Sequence, residues 1–217
     1  MSTFILMKIW ESAPQKYDRL SQRLNFRYLD EAYNRLIASI KSGDRVLDVG
    51  CGTGALSFRA AEKGARVKGM DVNRGMLEAA RCLAEAKHLR GSVEFIERGV
   101  AELDSEKESG FDVVMSGLCF SELSGDELAF GLEQILRILR PGGLLLVADE
   151  VRPRSLHKKI WNGILRFFLK IYVYLRTGTT THALKDFTER LERLGFQVVS
   201  CRLNAAENFV EVIAKKP

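Results

Sequence analysis

Residues 46–54 read Val-Leu-Asp-Val-Gly-Cys-Gly-Thr-Gly, an apolar run that carries an acid, Asp48, and closes on glycines spaced G-x-G-x-G at Gly50, Gly52 and Gly54. Glycines exclude side chains, so a ligand can approach the backbone closely where the strand ends. A dinucleotide fold instead spaces its glycines G-x-G-x-x-G and seats a pyrophosphate on the next helix N-terminus. Here an acid precedes the first glycine, which repels a pyrophosphate and can orient a ligand's ammonium group. The plain alternative is a tight strand-to-helix turn without a ligand.

Outward from this run, hydrophobic spacing predicts strands at about 45–49, 65–71, 93–97, 111–116, 143–149, 197–204 and 209–214. Helices are expected at about 17–41, 54–63, 74–88, 124–139 and 184–194. Such alternation requires right-handed crossovers and a mostly parallel sheet with helices on both faces. A short turn before the last strand makes the final pair antiparallel. In Arg137-Ile138-Leu139-Arg140-Pro141-Gly142-Gly143, the proline and glycines are expected to stop a helix and turn the chain into a buried strand.

The 217 residues are expected to form one domain, 1–217, with a helical cap at 1–43. Cys51, Cys82, Cys119 and Cys201 are widely spaced, with no zinc-type pattern. They read as reduced thiols of a cytoplasmic protein with no metal. Residues 151–217 hold 13 Lys+Arg against 5 Asp+Glu, whereas 1–150 hold 20 against 23, so the basic character is local. Between Val151 and Lys185 there are eight basic residues and no acid, interleaved with Leu156, Ile160, Ile164, Phe167, Ile171 and Tyr174. This amphipathic segment, 151–185, reads as a lid, a docking surface for a partner protein, or a peripheral membrane contact through 151–178. Arg166 and Lys170 in its middle argue against a membrane span.

The glycine loop and the chain beyond it, from about Arg45 to the C-terminus, resemble the class I S-adenosylmethionine-dependent methyltransferases. The resemblance implies a Rossmann-like α/β fold whose seven-stranded, mostly parallel sheet ends in an antiparallel hairpin. It implies S-adenosylmethionine as cofactor and S-adenosylhomocysteine as product. It places Asp48, Gly50, Cys51, Gly52 and Gly54 around the cofactor, with Asp71 accepting from the ribose hydroxyls and Val72 beside it. The other reading of Asp71 is a cap on the helix that begins near Arg74. Met76 matches an adenine-packing residue, or is plain core. Val100 and Ala101 fall where many relatives carry an acid for the adenine amino group, so backbone and shape would read the ring here. Glu102 reads as a helix-start acid. Ser116 and Leu118, at the end of the fourth parallel strand, are expected to line the reaction site. Tyr17 is a candidate for the methionine carboxylate, or packs only.

Four further stretches resemble one subgroup, the methyltransferases associated with corrinoid proteins: 7–17 (MKIWESAPQKY), 115–123 (MSGLCFSEL), 149–154 (DEVRPR) and 179–183 (TTTHA). That implies transfer to an acceptor in association with a corrinoid protein partner. The alternatives are a quinone-like or lipid-like small molecule at a membrane surface, or a non-catalytic cofactor-binding regulator. The glycine spacing disfavours a nicotinamide oxidoreductase, and the turn after Ser116 lacks the polar-Pro-Pro-aromatic pattern of DNA amino-methyltransferases, so nucleic acid is not an expected partner. If the acceptor loses a proton, the candidate bases are His182, Glu150 and Glu122, with Asp149 beside them.

Overall fold

In the computed structural model of the chain, residues 27–89, 91–153 and 182–217 are described. They build a seven-stranded sheet from β1 (Arg45–Val49), β2 (Arg66–Asp71), β3 (Val93–Glu97), β4 (Phe111–Gly117), β5 (Leu139–Glu150), β6 (Gln197–Leu203) and β7 (Phe209–Lys215). The order is β3-β2-β1-β4-β5-β7-β6, parallel through β5, with β7 antiparallel to both β5 and β6. The sequence-based fold class is therefore the observed one, terminal hairpin included. The strand order reverses between β1 and β4, the switch point where open parallel sheets bind ligands.

Among the described residues, five α-helices cover the sheet: α1 (Arg27–Ile37), α2 (Ala55–Glu62), α3 (Arg74–Ala86), α4 (Gly125–Ile138) and α5 (Phe187–Arg193). Strand side chains alternate between faces. Val46, Val67, Val113, Met115, Leu146 and Ala148 face α1, α2 and α3, while Leu47, Val49, Val114, Leu145 and Val147 face α4 and α5. Ser124 and Glu127 form a reciprocal cap on α4, Glu127 N–H donating to Ser124 Oγ at 3.2 Å and Ser124 N–H to Glu127 Oε2 at 2.8 Å. Buried Glu211 of β7 accepts from Arg35 Nε at 2.8 Å, Arg35 Nη2 at 2.6 Å and the Tyr28 hydroxyl at 3.1 Å, which fastens α1 to the terminal hairpin.

The Pro-Gly-Gly stretch behaves differently from its sequence expectation. Leu139 already pairs with Phe111, and pairing resumes at Leu144 with Val113, so residues 140–143 are extra length within β5 and not a turn before it. Gly142 takes a left-handed φ of 75°, and Gly143 has no room for a Cβ, because the Arg140 and Asp112 carbonyls would lie 2.9 and 3.0 Å away. Of the expected 1–43 cap, α1 falls within the described residues. Of the basic segment, residues 151–153 and 182–185 do. No helix among the described residues is long and apolar enough to cross a membrane.

Candidate functional site

The carboxyl ends of β1, β2, β4 and β5 open into a cleft of about 290 Å³. Its floor is the glycine loop. Gly50 and Cys51 both donate backbone N–H bonds to the Met70 carbonyl, at 2.9 and 3.0 Å, which clips the loop to β2. The three glycines differ in role. At Gly52, with φ 53°, a Cβ would meet nothing within 4 Å, so the backbone faces open cleft. A Cβ on Gly50 would run into the Cys119 side chain, and one on Gly54 into the Phe58 and Phe95 rings at 2.9–3.0 Å. Gly54 caps α2 in a left-handed conformation and packs close to those rings, between the cleft-lining Thr53 and Ala55.

Asp71 sits at the end of β2 and lines the cleft. Its Oδ2 accepts from Gly52 N–H and its Oδ1 from Asn73 N–H, both at 2.8 Å. These bonds aim the carboxylate and leave each oxygen a second lone pair. The cap on α3 is Asn73, whose side chain accepts from Met76 N–H at 3.2 Å, so the capping reading of Asp71 does not hold. Beyond Asp71 the wall turns apolar. Val72 is 72% exposed, a large apolar side chain left open beside Met76, Gly99 and Val100. A flat apolar ring fits there.

Val100 is buried against Gly131 of α4, whose missing side chain makes the space. Ala101 is exposed on the 3₁₀ turn Val100–Ser105, one residue beyond the cleft-lining Val100. Glu102 accepts from Gly99 N–H at 2.9 Å, the helix-start function expected of it. Ser116 is fully buried at the end of β4 and donates its hydroxyl to the Val49 carbonyl at 3.0 Å, tying β4 to β1. Leu118 does line the cleft, with a left-handed φ of 60° that turns the chain at the end of β4.

Asp48 lies under the cleft and not in its wall. It is 1% exposed, takes a 2.6 Å hydrogen bond from the Ser57 hydroxyl on Oδ2, and has no partner for Oδ1 among the described residues. Burial pushes this carboxyl up to about 7, against the opposing Ser57 bond. Asp149, fully buried on the opposite face of the sheet, is pushed up to about 7 by the same cause. It accepts from Ser121 N–H at 3.1 Å and Glu150 N–H at 2.7 Å, which shapes the mouth of the cleft.

Both native values lie above the ordinary 3.8, so ionisation is harder in the folded chain than in the unfolded one. Folding stability therefore falls as pH rises from about 4 through about 7. The thermal midpoint is expected to drop over that interval by about 2–4 °C for each kcal/mol of ionisation cost. Asp48→Asn should flatten the slope; an unchanged slope would acquit Asp48.

At the mouth, Leu118, Cys119, Glu122, Leu123 and Glu150 line the cleft, with Tyr33 of α1 opposite. Burial raises the Cys51 and Cys119 thiols well above their ordinary value, so both stay protonated and poorly nucleophilic. His182 is exposed and outside the cleft wall; its backbone N–H donates to the Ser121 carbonyl at 2.6 Å. Tyr17 and the greater part of the basic segment lie outside the described residues. Sequence reasoning missed Tyr33, Arg98 and Asn73 as cleft residues. Asn73 had a legible cap signal, while Tyr33 sits in an apolar helical stripe and reads as core.

Known proteins are similar to this chain in sequence and in fold. A family model described as "Methyltransferase domain" matches residues 46–143, from β1 into β5. A demethylmenaquinone methyltransferase of Tropheryma whipplei is 28% identical over 206 residues, covering 90% of this chain and 82% of that protein. Methyltransferase GfsG of Streptomyces halstedii is 32% identical over 187 residues, 86% of this chain and 63% of that one. Among solved structures, a geranyl diphosphate methyltransferase in complex with SAM superposes with a TM-score of 0.71 at 13% identity, covering 93% of this chain and 91% of that one. A putative methyltransferase of Haloferax volcanii, in complex with the Trm112 activator, gives 0.72 at 19% identity over 98% of both chains. At these identities the structures speak for the fold alone.

Proposed function

We propose, for a chain that belongs to the class I S-adenosylmethionine-dependent methyltransferases, that the methyl acceptor is a quinone-like or lipid-like small molecule entering beside Glu122 and Glu150. The cleft fits the cofactor on its own features. Gly52 leaves an open cradle, Asp71 presents an aimed carboxylate to a diol, and Val72, Met76 and Val100 offer an apolar slot for a ring. S-adenosylmethionine supplies a methyl group that is already activated. The protein has then to orient the acceptor and exclude water.

The reading rests chiefly on the composition of the mouth: two carboxylates, Glu122 and Glu150, among the apolar side chains of Leu118 and Leu123. Apolar walls suit a ring, and a carboxylate in reach of a ring hydroxyl can take its proton. The likeness to demethylmenaquinone methyltransferases over nine-tenths of the chain supports the same class of acceptor. The test is transfer of labelled methyl from S-adenosylmethionine to a reduced demethylmenaquinone with a short side chain. The expected result is label in the quinol; wild-type protein that binds cofactor yet leaves the quinol unlabelled would exclude this acceptor.

Association with a corrinoid protein is the second reading, and a specific observation favours it. Three of the stretches that resemble that subgroup meet at the mouth, where Ser121 N–H donates to Asp149 and His182 N–H to Ser121. Its test is retention of the chain on an immobilised corrinoid protein, followed by assay of labelled methyl. Retention without transfer to any acceptor would favour the regulatory alternative.

A further inference from the structure

The sheet has two edges, β3 and β6, and they are finished differently. An edge strand presents backbone donors and acceptors to whatever lies beside it, so proteins guard such strands with charge or cover. β3 is guarded: Glu94 and Glu97 are exposed along it, and Arg81 of α3 donates from Nη2 to the Phe95 carbonyl at 2.9 Å. β6 is bare. From Val199 to Leu203 every residue is exposed, although Val210, Glu211 and Val212 of the adjoining β7 are buried. Outside the cleft, Val199 at 59% and Leu203 at 37% are the exposed large apolar side chains among the described residues.

The exposed side chains follow a pattern. Cys201 and Leu203 stand opposite Val212 and Val210, on the face of the sheet that α4 and α5 cover. Residues two apart in a strand share a face, so Val199, Cys201 and Leu203 form one apolar stripe. A register shift between Val198 and Ser200 gives Val199 no residue opposite on β7. The single charge of β6, Arg202, stands opposite Glu211 on the other face, and the stripe itself carries none.

We propose that β6 pairs with β6 of a second copy of this chain, antiparallel about a two-fold axis at Cys201, and so joins the two sheets into one. Directly opposite residues of antiparallel strands share a face, so a two-fold axis sets one residue against its own copy. With the axis at Cys201, Val199 faces Leu203 of the other copy and Ser200 faces Arg202. An axis at Arg202 would oppose two guanidinium groups, and one at Ser200 would separate Val199 from Leu203. Of these three registers, the one at Cys201 alone pairs both apolar side chains and keeps like charges apart. Leu203 lies at the end of the sheet that bears the cleft, as Val210 and Phe209 connect it to Glu150. The two clefts therefore open at opposite edges of the joined sheet, and each works separately. The pairing is independent of both cofactor and acceptor.

Sedimentation of the full chain over a range of concentrations tests it, and should show a monomer in equilibrium with a dimer. Val199→Lys and Leu203→Glu each act twice across the axis and should weaken the dimer about tenfold, with thermal midpoints near wild type because both side chains are exposed. The double variant sets the introduced ammonium against the introduced carboxylate of the other copy, and should recover the dimer that either single change weakens. A short bismaleimide should also link two copies through Cys201 once Cys82, the other exposed thiol, is changed to serine. A chain that stays monomeric at every concentration would overturn the proposal, as would a dimer indifferent to both single variants. A double variant no better than the singles, or a dimer that the reagent cannot link through Cys201, would overturn the register and the proposal with it.

Discussion

Gly52→Val is expected to abolish measurable binding of S-adenosylmethionine while the chain stays folded. Gly52 has φ 53° and open space where its Cβ would be, and that space is the cleft. A valine there puts branched carbons where the ligand must meet backbone, and holds a β-branched residue in a left-handed conformation at a cost of about 1–3 kcal/mol. Strain and occlusion are separable, because Gly43 is also left-handed, at φ 86°, with nothing within 4 Å, and lies outside the cleft wall. Gly43→Val should lose comparable stability and keep wild-type affinity. Calorimetry and thermal melts on both variants give the answer; equal affinity in the two would mean that Gly52 does not face the ligand.

Asp71→Ala is expected to lower the affinity for S-adenosylmethionine at least about a hundredfold. A hydrogen bond to a charged group contributes about 1.5–3 kcal/mol, and a diol makes two. The alanine also strips the acceptor from Gly52 N–H and Asn73 N–H, so the loop loses the group that aims it. Asp71→Asn keeps one acceptor oxygen and should fall between alanine and wild type. Adenosine analogues give the control. 2′,3′-Dideoxyadenosine, lacking both hydroxyls, should bind wild type and Asp71→Ala with affinities within about threefold. A large loss for that analogue too would assign Asp71 to loop structure and not to the ribose.

These variants touch the part of the site that was open to sequence reading. A glycine loop after a strand, and an acid at the end of the next strand, are local patterns whose meaning comes from strand geometry. The same holds for the sheet order, since alternating periods of two and 3.6 leave few topologies. What local patterns leave open is which neighbours each residue of a motif meets. Gly54 packs on Phe58 and Phe95, Ser116 bonds across to Val49, and Ala101 points to solvent. Each lies within or next to a motif, and motif membership does not say which neighbours claim the side chain.

The Rossmann-like sheet, the antiparallel hairpin and the position of the glycine cradle were all legible in the order of amino acids, because each follows from periodicity and from conformations that glycine permits. Which acids face the ligand and which lie beneath it was not legible there, and needed the packed molecule. Tyr33 and Gly117 are more than eighty positions apart, and their contact at the end of β4 leaves no trace in local spacing. The burial of Asp48 and Asp149, and with it the charge of the cleft, depends on helices packed from both faces of the sheet. Desolvation is a property of the assembled layers, so it exists only once they have met.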